Sequence, residues 1–230
     1  LNAGLYRPMS VTNPPGTILN AEFPDAVGVR SAPARRLQDA VTGLLVRAVP
    51  DMMGAPTCGA STPFALAEYD ADGAKRTVQV VEPMRGGMGA WNGGDGVDVR
   101  DSSMANLQNH PIETVEEEAG VIIREYDVNP DSAGPGRWRG GAGQIITVEI
   151  TRDGSSFLAR GMDRLRFPAF GVMGAKPAQL FQAILNRGRP AERPSPNIDT
   201  LEVQNGDTLT LLMPRSRAYG YPLLLPSTPR

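Results

Sequence analysis

Apolar positions recur along this chain at two spacings, and each spacing predicts a different element. Between Ser31 and Val49, the residues Leu37, Val41, Leu44, Leu45 and Ala48 fall at three- and four-residue steps. That spacing draws one stripe down a helix. Arg35, Arg36, Asp39 and Arg47 stay mostly off the stripe. Ser31 can cap the first turn, Pro33 is tolerated inside it, and Pro50 stops the helix. The pattern predicts one long amphipathic helix over about 31–49, packed by its stripe onto a core.

Other apolar runs read as strands. Residues 64–69 and 77–82 flank Asp70-Ala71-Asp72-Gly73, a hairpin signal. Residues 121–128 form a β-branched run, and residues 144–151 alternate with Ile146, Val148 and Ile150 on one face. Asp153-Gly154 turns the chain into 157–160, and Asn205-Gly206-Asp207 leads into 208–213. Residues 179–186 are ambiguous by period and lean to strand between Pro177 and Gly188. Residues 1–30 read as extended pieces broken by Pro14-Pro15-Gly16, with 17–20 a short strand. Residues 187–197, rich in Arg and Pro, read as an exposed connection. No repeat and no internal boundary is visible over 1–230. The sum is a β-rich α+β chain of short strands and glycine-rich loops with one long helix.

Composition narrows this picture. The 230 residues suffice for a sizeable core. The net charge of −2 leaves no basic excess to draw nucleic acid. No apolar run approaches the ~20 residues of a membrane span. The single cysteine, Cys58, excludes an internal disulfide framework and suits a cytoplasmic compartment. With no histidine near it, Cys58 reads as an inert thiol. Leu1 is not a methionine, and Tyr6, Met9 and Val11 follow as if structure were already under way. The sequence thus reads as a natural split subunit, a processed product or a fragment.

The glycines cluster. One loop runs Arg85-Gly86-Gly87-Met88-Gly89-Ala90-Trp91-Asn92-Gly93-Gly94-Asp95-Gly96, and a second spans 129–143. Such loops are either mobile surface or sites where backbone must approach closely. Standard motifs are missing: no phosphate loop with its lysine, no Gly-x-Ser-x-Gly elbow, and one histidine only. Near the first loop lie Asp95, Asp98, Asp101, Asn106, Asn109, His110 and Glu113. His110 suits a proton shuttle, and Glu113 a general base or hard-metal ligand. Equally, His110 can cap a turn before Pro111, and Glu116 to Glu118 form a solvated face. In a third spot, Arg160, Asp163, Arg164 and Arg166 can clamp a carboxylate or phosphate, form a structural ion-pair network, or meet another subunit.

Several segments together resemble the hydantoinase B/5-oxoprolinase family: Leu5-Tyr6-Arg7-Pro8-Met9, Pro15-Gly16-Thr17-Ile18-Leu19-Asn20, Gly86-Gly87-Met88-Gly89-Ala90, Asp95-Gly96, Pro111-Ile112-Glu113, Gly134-Pro135-Gly136-Arg137-Trp138-Arg139-Gly140-Gly141 and Arg166-Phe167-Pro168. Their order and spacing cover nearly the whole chain. The resemblance implies the C-terminal portion of a B-type subunit of an ATP-dependent enzyme that hydrolyses cyclic amides such as hydantoins or 5-oxoproline. Related members carboxylate ketones such as acetone or acetophenone, and a non-catalytic assembly module is the third reading.

The resemblance implies ATP and Mg on a hydantoinase-A-like partner. It implies a divalent metal on the N-terminal part of the B-type subunit, and neither nucleotide nor metal on this chain. It gives Gly86, Gly87, Gly89, Asp95 and Gly96 as loop or substrate contacts, with backbone N–H donors near developing charge. Arg160, Asp163 and Arg164 join them as possible substrate contacts, and His110 and Glu113 as catalytic candidates. Two departures stand out. Trp91-Asn92-Gly93 replaces the family's Arg-Pro-Gly, and Pro214–Pro222 replaces its terminal glycine-rich run.

Overall fold

The structure, a computed structural model, describes residues 4, 7–28, 31–59, 63–83, 85–100, 107–159, 163–195, 200–213 and 216–222. Its described strands form two antiparallel sheets, and the chain is α+β and strand-rich. The strands are β1 (Pro63–Tyr69), β2 (Lys75–Pro83), β3 (Val121–Val128), β4 (Gln144–Ile150), β5 (Ser155–Ala159), β6 (Gln182–Leu185), β7 (Arg193–Pro194), β8 (Leu201–Val203) and β9 (Thr208–Leu212). The four-stranded sheet is ordered β2-β1-β5-β8, and the five-stranded sheet β3-β4-β9-β6-β7.

Alternation puts one apolar face of each sheet into a shared core. Phe64, Leu66, Phe157 and Val203 come from the first sheet, and Ile146, Val148, Ile150, Leu209 and Leu211 from the second. The Phe64 and Phe157 rings lie 5.9 Å apart at 53°, a tilted pairing that suits the ring quadrupoles. The expected hairpin joins β1 and β2, with Gly73 at φ +80° and its N–H donating to the Asp70 carbonyl at 2.8 Å. The chain crosses between sheets through Asp153-Gly154 and again through Asn205-Gly206-Asp207.

Several expectations need correction. Residues 17–20 make a tight turn, with the Asn20 N–H donating to the Thr17 carbonyl at 2.9 Å, and form no strand. The 187–197 connection contains β7, which pairs with β6. A second helix, α2 (Ile112–Glu118), forms where the glutamate run suggested only a solvated face. It buries Val115, while Glu117 and Glu118 remain exposed.

The largest correction concerns the long helix α1 (Ser31–Ala48). It forms, but its stripe does not pack on the core. Leu37, Val41, Leu44 and Leu45 are 46, 45, 68 and 42% exposed. The inward side instead buries Asp39 and Val46, and Gly43 lies against the Phe170 ring. Three hydrogen bonds hold this orientation. Arg164 donates through Nη2 to Asp39 Oδ2 at 2.7 Å, through Nε to the Cys58 carbonyl at 2.9 Å, and through Nη1 to the Phe167 carbonyl at 3.0 Å. A buried ion pair thus outranks the apolar stripe in seating the helix.

Candidate functional site

The two glycine loops meet. Backbone hydrogen bonds tie the first loop to the segment after α1, to the second loop and to the residues after β9. Ala55 N–H donates to the Ala90 carbonyl at 2.7 Å, Cys58 to Gly87 at 3.1 Å, Gly96 to Arg139 at 2.7 Å, Gly141 to Met88 at 3.0 Å and Ala90 to Arg217 at 2.8 Å. Glycine is required for room. A Cβ on Gly87 would overlap the Gly141 carbonyl, one on Gly89 the Ala55 carbonyl, and one on Gly96 the Met88 carbonyl. Gly86, Gly87, Gly89 and Gly96 are all buried. The loops form a packed backbone hub, and the reading of a mobile surface does not describe them.

Asp95 and Asp98 lock the hub from its rim. Asp95 Oδ1 accepts the Arg139 N–H at 2.7 Å. Asp98 Oδ1 accepts from Arg139 Nη1 at 2.8 Å and from the Ala142 N–H at 2.7 Å. The Arg139 hydrogen bond holds the Asp98 carboxyl below the usual carboxylate range; burial opposes it, and the Ala142 N–H and the Arg139 charge assist. A carboxylate depressed on folding contributes stability that is complete above its unfolded value. That stability is lost as pH falls through the folded value. Acidification from pH 7 to below about pH 4 is therefore expected to lower the urea midpoint, and less so in Asp98→Asn. An equal acid loss in both proteins would remove Asp98 from the cause.

Much of the loop's donor capacity is internal. The N–H groups of Met88, Ala90, Trp91, Gly94 and Gly96 all serve bonds inside the protein. Trp91 and Gly94 pair across Asn92-Gly93, so the departure from the family's loop is a closed two-residue turn. Gly89 N–H has no partner among the described residues. Gly89 also lines a cavity of about 350 Å³ between α1 and the loop. Met53, Met88 and Trp91 give that cavity apolar wall, and Asp39, Thr42 and Asp51 give it polar groups. Asp51 accepts from Asn92 Nδ2 at 2.6 Å. No motif marks these added residues in the sequence; Asp39 and Thr42 belong to helix α1, and Met53 to an unremarkable connection.

The other candidates fall elsewhere. His110 and Glu113 are exposed. His110 borders a groove of about 370 Å³ walled by Val78 and Val80 of β2 and by α2, with no glycine-loop residue in its lining. Arg164 is drawn into the buried pair with Asp39. Asp163 opens a 3₁₀ turn, Asp163–Leu165. Arg160, Asp101 and Asn106 lie outside the described residues. The largest cavity, about 880 Å³, lies beside β8 and β6 with Tyr69, Ser156 and Arg193 in its lining, and contains none of the candidates. Among the described residues no group of three or more His, Cys, Asp or Glu is placed to hold a metal ion. None of their helices is long and apolar enough to cross a membrane.

Known proteins share this arrangement. The chain is 29% identical over 235 residues to the caprolactamase subunit beta of Pseudomonas jessenii, covering 98% of this chain and 40% of that subunit. The crystal structure of the ATP-dependent caprolactamase from Pseudomonas jessenii superposes with a TM-score of 0.76 at 25% identity, over 96% of this chain and 39% of that one. An acetone carboxylase shares the fold, with a TM-score of 0.56 at 13% identity over 73% of this chain and 26% of that one. The chain spans about two fifths of the length of the curated relatives it matches. The sequence model of the hydantoinase B/oxoprolinase family matches residues 1–222, and the chain belongs to that family.

Proposed function

We propose that the chain is the C-terminal portion of a hydantoinase-B-type subunit. In this reading it works with the N-terminal portion and a hydantoinase-A-like subunit, in the cytoplasm, to hydrolyse a cyclic amide at the expense of ATP. The observation that carries this reading is the agreement over nearly the whole chain with an ATP-dependent caprolactamase. An amide is a poor electrophile with a poor leaving group. ATP with Mg on the A-like subunit supplies the phosphoryl group that activates the amide oxygen, and a divalent metal belongs to the N-terminal portion.

The glycine loop of this chain does not fit a triphosphate cradle. It has no lysine, and five of its N–H groups serve internal bonds. Its contribution is the cavity beside α1. Met53, Met88 and Trp91 offer apolar wall to ring methylenes and keep water from the reacting carbon. The Gly89 N–H is the donor for the carbonyl oxygen. Glu113 and His110 sit on an exposed face, available to a partner: Glu113 orients water and His110 moves a proton.

Turnover tests the reading. The pure chain should hydrolyse neither ATP nor a lactam, whereas the assembled complex should release ADP together with a ring-opened amino acid. ATP turnover by the pure chain above a heat-killed control overturns this division of labour. ADP release that needs acetone and bicarbonate moves the assignment to a ketone carboxylase. In the complex, Glu113→Gln should cut turnover by roughly 10²-fold, with assembly and melting unchanged, and His110→Asn should be milder and shift the pH profile. Unaltered turnover in Glu113→Gln puts the chemistry on the other chains and leaves this one an assembly module.

A further inference from the structure

Helix α1 is seated with its polar side inward. Its wheel puts Leu37, Val41 and Leu44 within one narrow sector, with Leu45 beside it, and all four are exposed. The opposite sector carries Asp39 and Val46, the two buried positions. The bonds that set this orientation are strong and internal: Asp39 Oδ2 receives Arg164 Nη2 at 2.7 Å and Arg36 Nη1 at 2.9 Å. The helix cannot roll its stripe inward without breaking them. An apolar stripe held outward over three turns is a surface that awaits cover.

Charge narrows what covers it. The ionisable residues of α1 are Arg35, Arg36, Asp39 and Arg47, and the first turn has no acid. Asp39 is engaged inward, so the charges left around the stripe are positive. A second copy is a poor occupant. Antiparallel self-pairing of α1 would bring Arg47 to the partner's Arg35–Arg36 turn, and parallel pairing would set Arg47 against Arg47. Both juxtapose like charges. The occupant must be apolar with a carboxylate rim. The relatives also carry such a candidate in their own length, because the match with the caprolactamase beta subunit leaves 60% of that subunit outside it (100 − 40).

We propose that the outward stripe of α1 is the seat of the complementary portion of the B-type subunit, which meets it with an apolar surface rimmed by carboxylates opposite Arg47. This rests on the B-type reading above. The side chains that carry it, Leu37, Val41 and Leu44, line no part of the cavity at Gly89. They can therefore be changed without touching the site.

The test mixes this chain with the complementary portion of the same subunit, expressed as a separate polypeptide, and follows the pair by sedimentation velocity. Wild-type chains should form a 1:1 complex. Val41→Glu/Leu44→Glu should bind about 100-fold more weakly or worse, with the helical circular dichroism and urea midpoint of the chain itself unchanged. Should the double variant fail to fold, Leu44→Gln carries the test, with at least about a ten-fold loss expected. Arg47→Glu should weaken binding at low salt more than at high salt. Equal binding by the double variant overturns the proposal. So does the absence of any complex between the wild-type polypeptides, or a self-dimer that the double variant abolishes. A complex that forms through the stripe and hydrolyses no cyclic amide removes the proposed reaction and leaves the surface standing. A complex that turns over while ignoring the stripe variants does the reverse.

Discussion

Gly96→Ala should unfold the chain or lower its stability by about 4 kcal/mol or more, the range reserved for severe overpacking. The reason is room alone. Gly96 does not occupy the left-handed region, so its backbone angles admit any residue. What it lacks is space for a methyl group. A Cβ there would overlap the Met88 carbonyl oxygen and come within 2.6 Å of the Gly141 nitrogen. Those two atoms are hydrogen-bonded to each other at 3.0 Å, so neither can retreat without breaking the hub. Gly87→Ala should behave alike, because its obstacle is again backbone, at Gly141. Gly94→Ala should cost less: its obstacle is the Trp91 indole at 2.5 Å, which can turn away. Gly28→Ala meets nothing within 4 Å and should stay within about 0.5 kcal/mol of wild type. Urea titrations followed by tryptophan fluorescence rank the four. A loss below about 1 kcal/mol for Gly96→Ala would mean that the hub yields, and the account of the glycine loops would go with it.

The hub shows where reading residues in order succeeds and where it stops. Clustered glycines in two loops mark a place where backbone must come close, and Gly86, Gly87, Gly89 and Gly96 are indeed buried together. Whether those glycines present N–H groups to a ligand or admit a neighbouring carbonyl depends on a partner about 45 residues away, at Gly141. No local pattern encodes that. Strands were legible for the opposite reason. Alternation in Ile146, Val148 and Ile150 is local, and their common face is the buried one. The two-residue β7 and three-residue β8 are too short to alternate, so nothing in the chain announces them. Helix α2 hides because its glutamates mask the single buried Val115.

Helix α1 is the instructive case. Its period was readable, and so was its stripe. Which side faces the body was not, because the deciding partner, Arg164, lies 125 residues away from Asp39. The same contact accounts for Arg164 as a candidate: a dense arginine–aspartate run was visible, and the fold uses its one described guanidinium pair to bind a helix. His110 and Glu113 carried chemistry by residue type, but the turn into α2 leads them to an exposed groove away from the glycine loop's cavity.

Asp39→Asn should then be among the most damaging single changes outside the hub. It removes the carboxylate from a site that keeps two guanidinium groups, Arg164 with 10% of its side chain exposed and Arg36 with 29%. Deleting one partner of a buried pair leaves uncompensated charge in a poor solvent for it, and typically costs about 3–5 kcal/mol. The amide keeps the shape and one acceptor oxygen, so the loss isolates charge from packing. The exposed pair Arg124–Glu149 makes the control. Its contact is as short, at 2.8 Å, but the arginine is 52% exposed, and Glu149→Gln should leave the midpoint where it was, since water already solvates both ends. Asp39→Asn should also expose the Cys58 carbonyl contact to competition, because Arg164 bridges both. Faster labelling of the buried Cys58 thiol in the variant, at a pH where both proteins are folded, would report that loosening directly. If Asp39→Asn melts with wild type and its thiol stays as protected, the ion pair does not seat α1, and the outward stripe would need another cause.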